Sequence, residues 1–334
     1  MRVELTNGIV SPTQLFWIEF CAYIMKTFKN IVLTLSTGYI LFLFSELLFW
    51  ARKRPEDSFG EWTMTWLAYS LMAFVFLYLV SRFRVKDIWA LFLAGAVFGW
   101  LAEGVVVQTT YESLPLSISF TGLAWHALVT VWIGWYAMKK SLLSADSFLT
   151  LKLCALVGLC YGLWAIMWWL EPDGGVSSVA EFALFSFGAA AFAIPAYWLA
   201  NWSASESFFP NRWAAIIIFG IFVLVFVIGT VPAAPIAIVI LPVLLGLAYL
   251  GLRWNRLQED EGSFLGNLRG RVSAWKYLSL LAIPAISVLF YALAMSLNLQ
   301  WQTNWIVYLV ATPLGFILFG VSLYNTWRRK SVAA

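Results

Sequence analysis

Glu46, Glu103 and His126 lie inside apolar runs of about twenty residues, away from the basic ends of those runs. An ionisable side chain in lipid is costly, so it defaults to an ion path, a proton relay or a catalytic group. Carboxylate and imidazole exchange protons near neutral pH once burial and neighbours adjust them. Two chemistries follow. In a transporter or permease for a small solute or cation, the three side chains would line an outward-side site. Tyr111 and Glu112, in the gap after Glu103, would join that site as substrate or ion contacts. In a membrane-embedded enzyme acting on a lipid or isoprenoid, Glu103 would be the general acid or base and His126 its partner. A structural or assembly subunit is the third reading, with no chemistry at all.

Each residue also has a plainer explanation. Glu46 is close enough to the end of its run to reach the interface. His126, the only histidine of the chain, could be a neutral ring bonded to a neighbouring hydroxyl or carbonyl. Lys152 sits at the end of its run and can snorkel. Glu112, Glu171 and Asp173 are ordinary loop carboxylates unless the fold makes them converge.

The elements that position these groups are helices. Hydrophobic residues make up 62% of 334 and charged residues 11%, with a mean hydropathy of +0.83. A soluble domain carries about a quarter charged residues. Only helices or closed barrels satisfy every backbone polar group in lipid. Barrel strands would read as alternating segments of about ten residues; these runs are continuous and twice as long. The fold class is therefore all-α, a polytopic integral membrane protein with about ten transmembrane helices. Spans fall at about 30–50, 62–81, 87–107, 117–138, 148–170, 180–200, 213–230, 234–252, 277–297 and 304–326. Residues 30–330 form one transmembrane domain. Residues 1–29 form a cytoplasmic or interfacial segment, within which Thr13 to Phe28 is expected to lie along the membrane surface. The start lacks a cleavable secretory signal.

Lys and Arg set the direction. Arg82, Arg84, Lys86, Lys139, Lys140, Arg212, Arg253, Arg256, Arg269, Arg271, Lys276 and Arg328 to Lys330 follow even-numbered spans. The gaps after spans three, five, seven and nine carry no Lys or Arg. Both termini are then cytoplasmic, in the cell membrane. Arg52, Lys53 and Arg54 break the pattern, with Glu56, Asp57 and Glu61 beside them. The longest polar gap, 253–276, could hold a short helix with Glu259, Asp260 and Glu261.

Helix faces narrow the site further. Gly95, Gly99 and Glu103 form one stripe at i, i+4, i+8, and Gly122, His126, Thr130 and Gly134 form another. Cys154, Gly158 and Gly162 make a third. Small stripes are packing faces in membranes, so spans three, four and five are expected to group around Glu103 and His126. The gap Thr109 to Ser113 would cap that group. By rise per residue, Glu46 and Glu103 lie about one turn, and His126 about two turns, from the outer surface.

Other chemistries find no support in the sequence. One histidine cannot build a multi-histidine metal centre or an H-E-x-x-H zinc site, and the G-x-x-x-x-G-K-[ST] phosphate loop is absent. Cys21, Cys154 and Cys160 form neither a C-x-x-C pair nor an even-numbered framework. No metal and no cofactor are expected. The partners are membrane lipids and a small-molecule or lipid substrate, not nucleic acid. Most of the 20 tryptophans mark the interfacial belt, and Trp100, Trp125, Trp132 and Trp164 lie deeper.

Overall fold

The computed structural model describes residues 12–333 except 147, 172–174, 206–207, 209, 257–262 and 302–303. Asp173 and the acidic triplet Glu259 to Glu261 lie outside the described residues. No strand occurs among the described residues, and ten of the helices are long and apolar enough to cross a membrane. They are Phe16–Trp50, Phe59–Arg82, Ile88–Val106, Ser117–Leu143, Leu149–Leu170, Val179–Ser203, Arg212–Ala233, Ala237–Arg256, Ala274–Ser296 and Asn304–Arg329. This supports a multi-pass membrane protein.

Several helix starts are written locally. Ser58 and Glu61 form a reciprocal capping box at the second span, with Ser58 N–H donating to Glu61 Oε2 at 2.8 Å. Ser178 and Glu181 repeat it at the sixth. Asp87 accepts from Trp89 and Ala90 N–H at the third, and Asn211 from Trp213 N–H at the seventh. Such caps satisfy orphan donors of the first turn.

The first span starts earlier than the apolar run implies. Pro12–Phe42 is one helix, continued by a π-helical turn and Leu48–Trp50. Residues 13–28 therefore extend the first span and do not form a helix of their own. At about 1.5 Å per residue the whole rod exceeds a hydrocarbon core of about 30 Å. Phe16, Trp17, Ile18 and Phe20 on its early turns are exposed.

The even-numbered gaps meet at one end. Phe264 N–H donates to Val85 O at 2.8 Å, and Asn255 Nδ2 to Phe83 O at 2.8 Å. Phe208 N–H donates to Ser81 Oγ at 2.7 Å. Asn201 and Gly270 exchange two bonds, and Lys276 Nζ reaches Ser144 O at 2.5 Å. Arg329 pairs with Asp87 at 2.9 Å. The other end joins the odd gaps: Glu171 bonds Asn304, Tyr291 Oη donates to Ser177 O, and Arg52 lies against Gly175. Arg52 to Arg54 thus sit opposite the remaining basic gaps, as the ten-span count requires. Arg54 is neutralised locally by Asp57 at 2.9 Å and Glu56 at 3.4 Å.

The third span is the enclosed centre, packed against the second, fourth, eighth and tenth, while the seventh is almost wholly exposed. Spans three and four meet through glycine: a Cβ on Gly99 would stand 2.9 Å from His126 Cβ. The expected grouping of spans three, four and five needs correction. A Cβ on Gly158 would stand 2.6 Å from Ile283 O, so the small stripe of span five packs against span nine. Span one takes its place, with Phe44 filling the space over Gly134. Overpacking a closed face costs about 1–3 kcal/mol. Gly99→Val should therefore lower the thermal midpoint of the detergent-purified protein by several degrees. Gly188→Ala, where no atom lies within 4 Å, should leave it unchanged.

Candidate functional site

Among the described residues four segments are π-helical: Leu43–Leu47, Ala102–Val106, Phe120–Ala137 and Phe226–Thr230. The first three carry Glu46, Glu103 and His126 respectively. A π-turn displaces a backbone carbonyl from the helical ladder, and in lipid that carbonyl needs another donor. Side chains supply it in the first three. Trp125 Nε1 donates to Phe44 O at 3.1 Å and Tyr197 Oη to Gly134 O at 2.5 Å. Tyr111 Oη donates to Gly104 O at 2.8 Å and Thr230 Oγ1 to Val105 O at 3.0 Å.

His126, 2% exposed, is the hub of the site. Its Nε2 lies 2.6 Å from Glu103 Oε1, and its Nδ1 lies 2.9 Å from Ser45 Oγ. Ser45 Oγ lies 3.1 Å from Thr130 Oγ1. Thr109 Oγ1 donates to Glu103 Oε2. Phe98 holds the imidazole edge to face, centroids 5.4 Å apart. An ionised carboxylate only accepts, so Nε2–H donates to Glu103. The neutral ring then accepts at Nδ1 from Ser45, which accepts from Thr130. A second ring proton would reverse both hydroxyls. The row Glu103–His126–Ser45–Thr130 can thus pass a proton by reorienting hydroxyls, with no movement of backbone.

Glu46 forms a second centre one residue along. Tyr69 Oη donates to its Oε1 at 2.7 Å and Trp50 Nε1 to its Oε2 at 3.1 Å. Glu46 follows Ser45 in the chain, so the two centres are adjacent on span one. Glu46 is half-buried, whereas Glu103 and Ser45 are buried.

The structure therefore brings Glu103 and His126 into contact and sets Glu46 beside them. Two other expected site residues lie outside this network. Glu112 is exposed, and its backbone N–H only closes the Thr109 turn. Tyr111 spends its hydroxyl on the Gly104 carbonyl, and burial pushes its pKa up to about 12, so it stays a donor. Ser45, Thr130 and Tyr69 are the additions. Thr130 stands on the His126 stripe in the sequence; Ser45 and Tyr69 carry no such signal. No third His, Cys, Asp or Glu completes a metal-holding group among the described residues. A cavity of about 10 Å³, room for one water, is lined by Leu43, Tyr161, Ser186 and Tyr197 and not by this network.

Comparison with protein-family models, curated proteins and solved structures returned no match.

Removing one partner of a buried charged pair costs about 3–5 kcal/mol. His126→Ala should therefore destabilise strongly, because it strands the Glu103 carboxylate. Adding Glu103→Gln to it should recover a large part of that loss. A thermal-unfolding double-mutant cycle in detergent reads the coupling, and additive losses would contradict it.

Proposed function

We propose that the protein is a proton-coupled permease of the cell membrane, moving a small solute or cation. Its basic end, with both termini, faces the cytoplasm by the positive-inside rule. The observation that carries this reading is the unbroken hydrogen-bonded row Glu103–His126–Ser45–Thr130 in an enclosed setting. A proton needs no cavity, only donors and acceptors in series. Buried His and Glu in membrane helices are the side chains of proton relays. Glu103 meets Thr109 of the 107–116 gap, which gives the row a polar exit at the end opposite the basic gaps.

One observation favours a second reading. Ser45, His126 and Glu103 have the residue types and spacings of a nucleophile, base and acid in series. A membrane-embedded hydrolase of a lipid substrate would use Ser45 as nucleophile and His126 as base. That chemistry requires the substrate to reach Ser45 Oγ, which is buried and shared between His126 and Thr130.

Proteoliposomes loaded with a pH-sensitive dye separate the two. Under an imposed proton gradient, with Na⁺, K⁺ and choline supplied as exchangeable solutes, wild-type protein should dissipate the gradient at least tenfold faster than Glu103→Gln or His126→Gln. Equal rates would overturn the permease reading. Covalent labelling of Ser45 by a fluorophosphonate, lost in Ser45→Ala and without proton flux, would establish the hydrolase instead.

A further inference from the structure

Glu46 makes no ion pair among the described residues. Its two bonds come from neutral donors, the Tyr69 hydroxyl and the Trp50 indole N–H. The ion pairs among the described residues go elsewhere: His126 to Glu103, and Arg54 to Glu56 and Asp57. A half-buried carboxylate with no ion-pair partner among them is a place for a cation to arrive.

The group beside it is built to hold one. Trp50 stacks one face on Trp168, centroids 5.1 Å apart at 29°. The Arg54 guanidinium lies over the same ring, 4.6 Å from its centroid. Indole is the strongest cation–π partner among the side chains. The chain makes this contact by ending the helix at Ala51 in the left-handed region, φ 55°, and turning so that Asp57 N–H meets Arg54 O. Asp57 then clamps Arg54 by its backbone N–H, Nε and Nη2.

The surrounding wall is apolar in practice. Trp164 and Trp168 both donate their Nε1–H to Phe49 O, at 2.5 and 2.8 Å. Trp125 donates its own to Phe44 O. Their donors are spent, and the Phe49 ring packs among them, 4.8 Å from Trp125 and 5.4 Å from Trp164. With Arg54 displaced, what a ligand meets is a carboxylate, an indole face and hydrocarbon.

We propose that Glu46 and Trp50 bind an organic cation, a quaternary ammonium or guanidinium compound, and that Arg54 is its resident competitor. This site gives the permease reading a solute class, and the claim that its ligand is transported rests on that reading; binding itself requires no proton flux. Ligand arrival would displace Arg54 from the Trp50 face, leaving Arg54 with Asp57 and Glu56 in the gap.

The test is calorimetric titration of the detergent-purified protein with choline, and with 3,3-dimethyl-1-butanol, its uncharged carbon isostere. Choline should bind saturably, and the isostere at least tenfold more weakly. Glu46→Gln and Trp50→Leu should weaken choline at least tenfold, with Trp50→Phe in between. Arg54→Ala should tighten it severalfold, a gain that a merely structural arginine would not produce. The proposal is overturned by equal binding of the isostere, by unchanged or weaker binding in Arg54→Ala, or by wild-type binding in Glu46→Gln. It is also overturned if neither choline nor methylguanidinium binds at millimolar concentration. Proton flux without choline binding removes this site and keeps the relay, and choline binding without flux does the reverse.

Discussion

A carboxylate enclosed among apolar helices must find a partner, because a bare charge there costs several kcal/mol. Glu103 finds His126 at 2.6 Å, and much of the enclosed architecture follows from that contact. The ring must approach the third span closely, so Gly99 stands where any side chain would collide with His126. The far ring nitrogen must also be satisfied, which draws in Ser45 from the first span. Three helices are thereby tied at one point, and the third becomes the centre of the bundle.

The π-helical turns are the second consequence. Glu46, Glu103 and His126 each ride on one, in three different spans. Such a turn re-aims side chains at the expense of a displaced carbonyl. Trp125, Tyr111, Thr230 and Tyr197 cap those carbonyls. The aromatic and hydroxyl side chains around the site are thus not only packing material. They are the donors that let irregular backbone persist where no water can help.

The first gap shows electrostatics settled at short range. Three basic residues at the end away from the other basic gaps look anomalous when counted along the chain. In space Arg54 is folded back onto Trp50 and neutralised by two acidic neighbours. The same fold leaves Glu46 with neutral hydrogen-bond donors, one residue from the row Glu103–His126–Ser45–Thr130. The intramembrane carboxylates and the imidazole stand on spans one, three and four, while span seven and much of span eight present mainly apolar surface outward.

The sequence by itself determined the class of fold. Lipid admits only internally bonded backbone, so about twenty apolar residues without charge can be read directly as a span. Basic gaps at alternate positions likewise assign the ends, and the structure collects the even gaps at one of them. It also marked Glu103 and His126, because ionisable residues stand out against a uniform apolar background. It did not reveal Ser45 or Tyr69, since a hydroxyl in an apolar run is ordinary until a partner from another helix arrives. Nor could it place the stripe of Gly158 and Gly162, because small residues state that something packs close without stating what. Tertiary structure decided those pairings, along with the placing of the Tyr111 hydroxyl on the Gly104 carbonyl and of Glu112 at the surface. The physical reason is that lipid acts on each residue alone, whereas hydrogen bonds and close packing act only between residues that the fold has brought together.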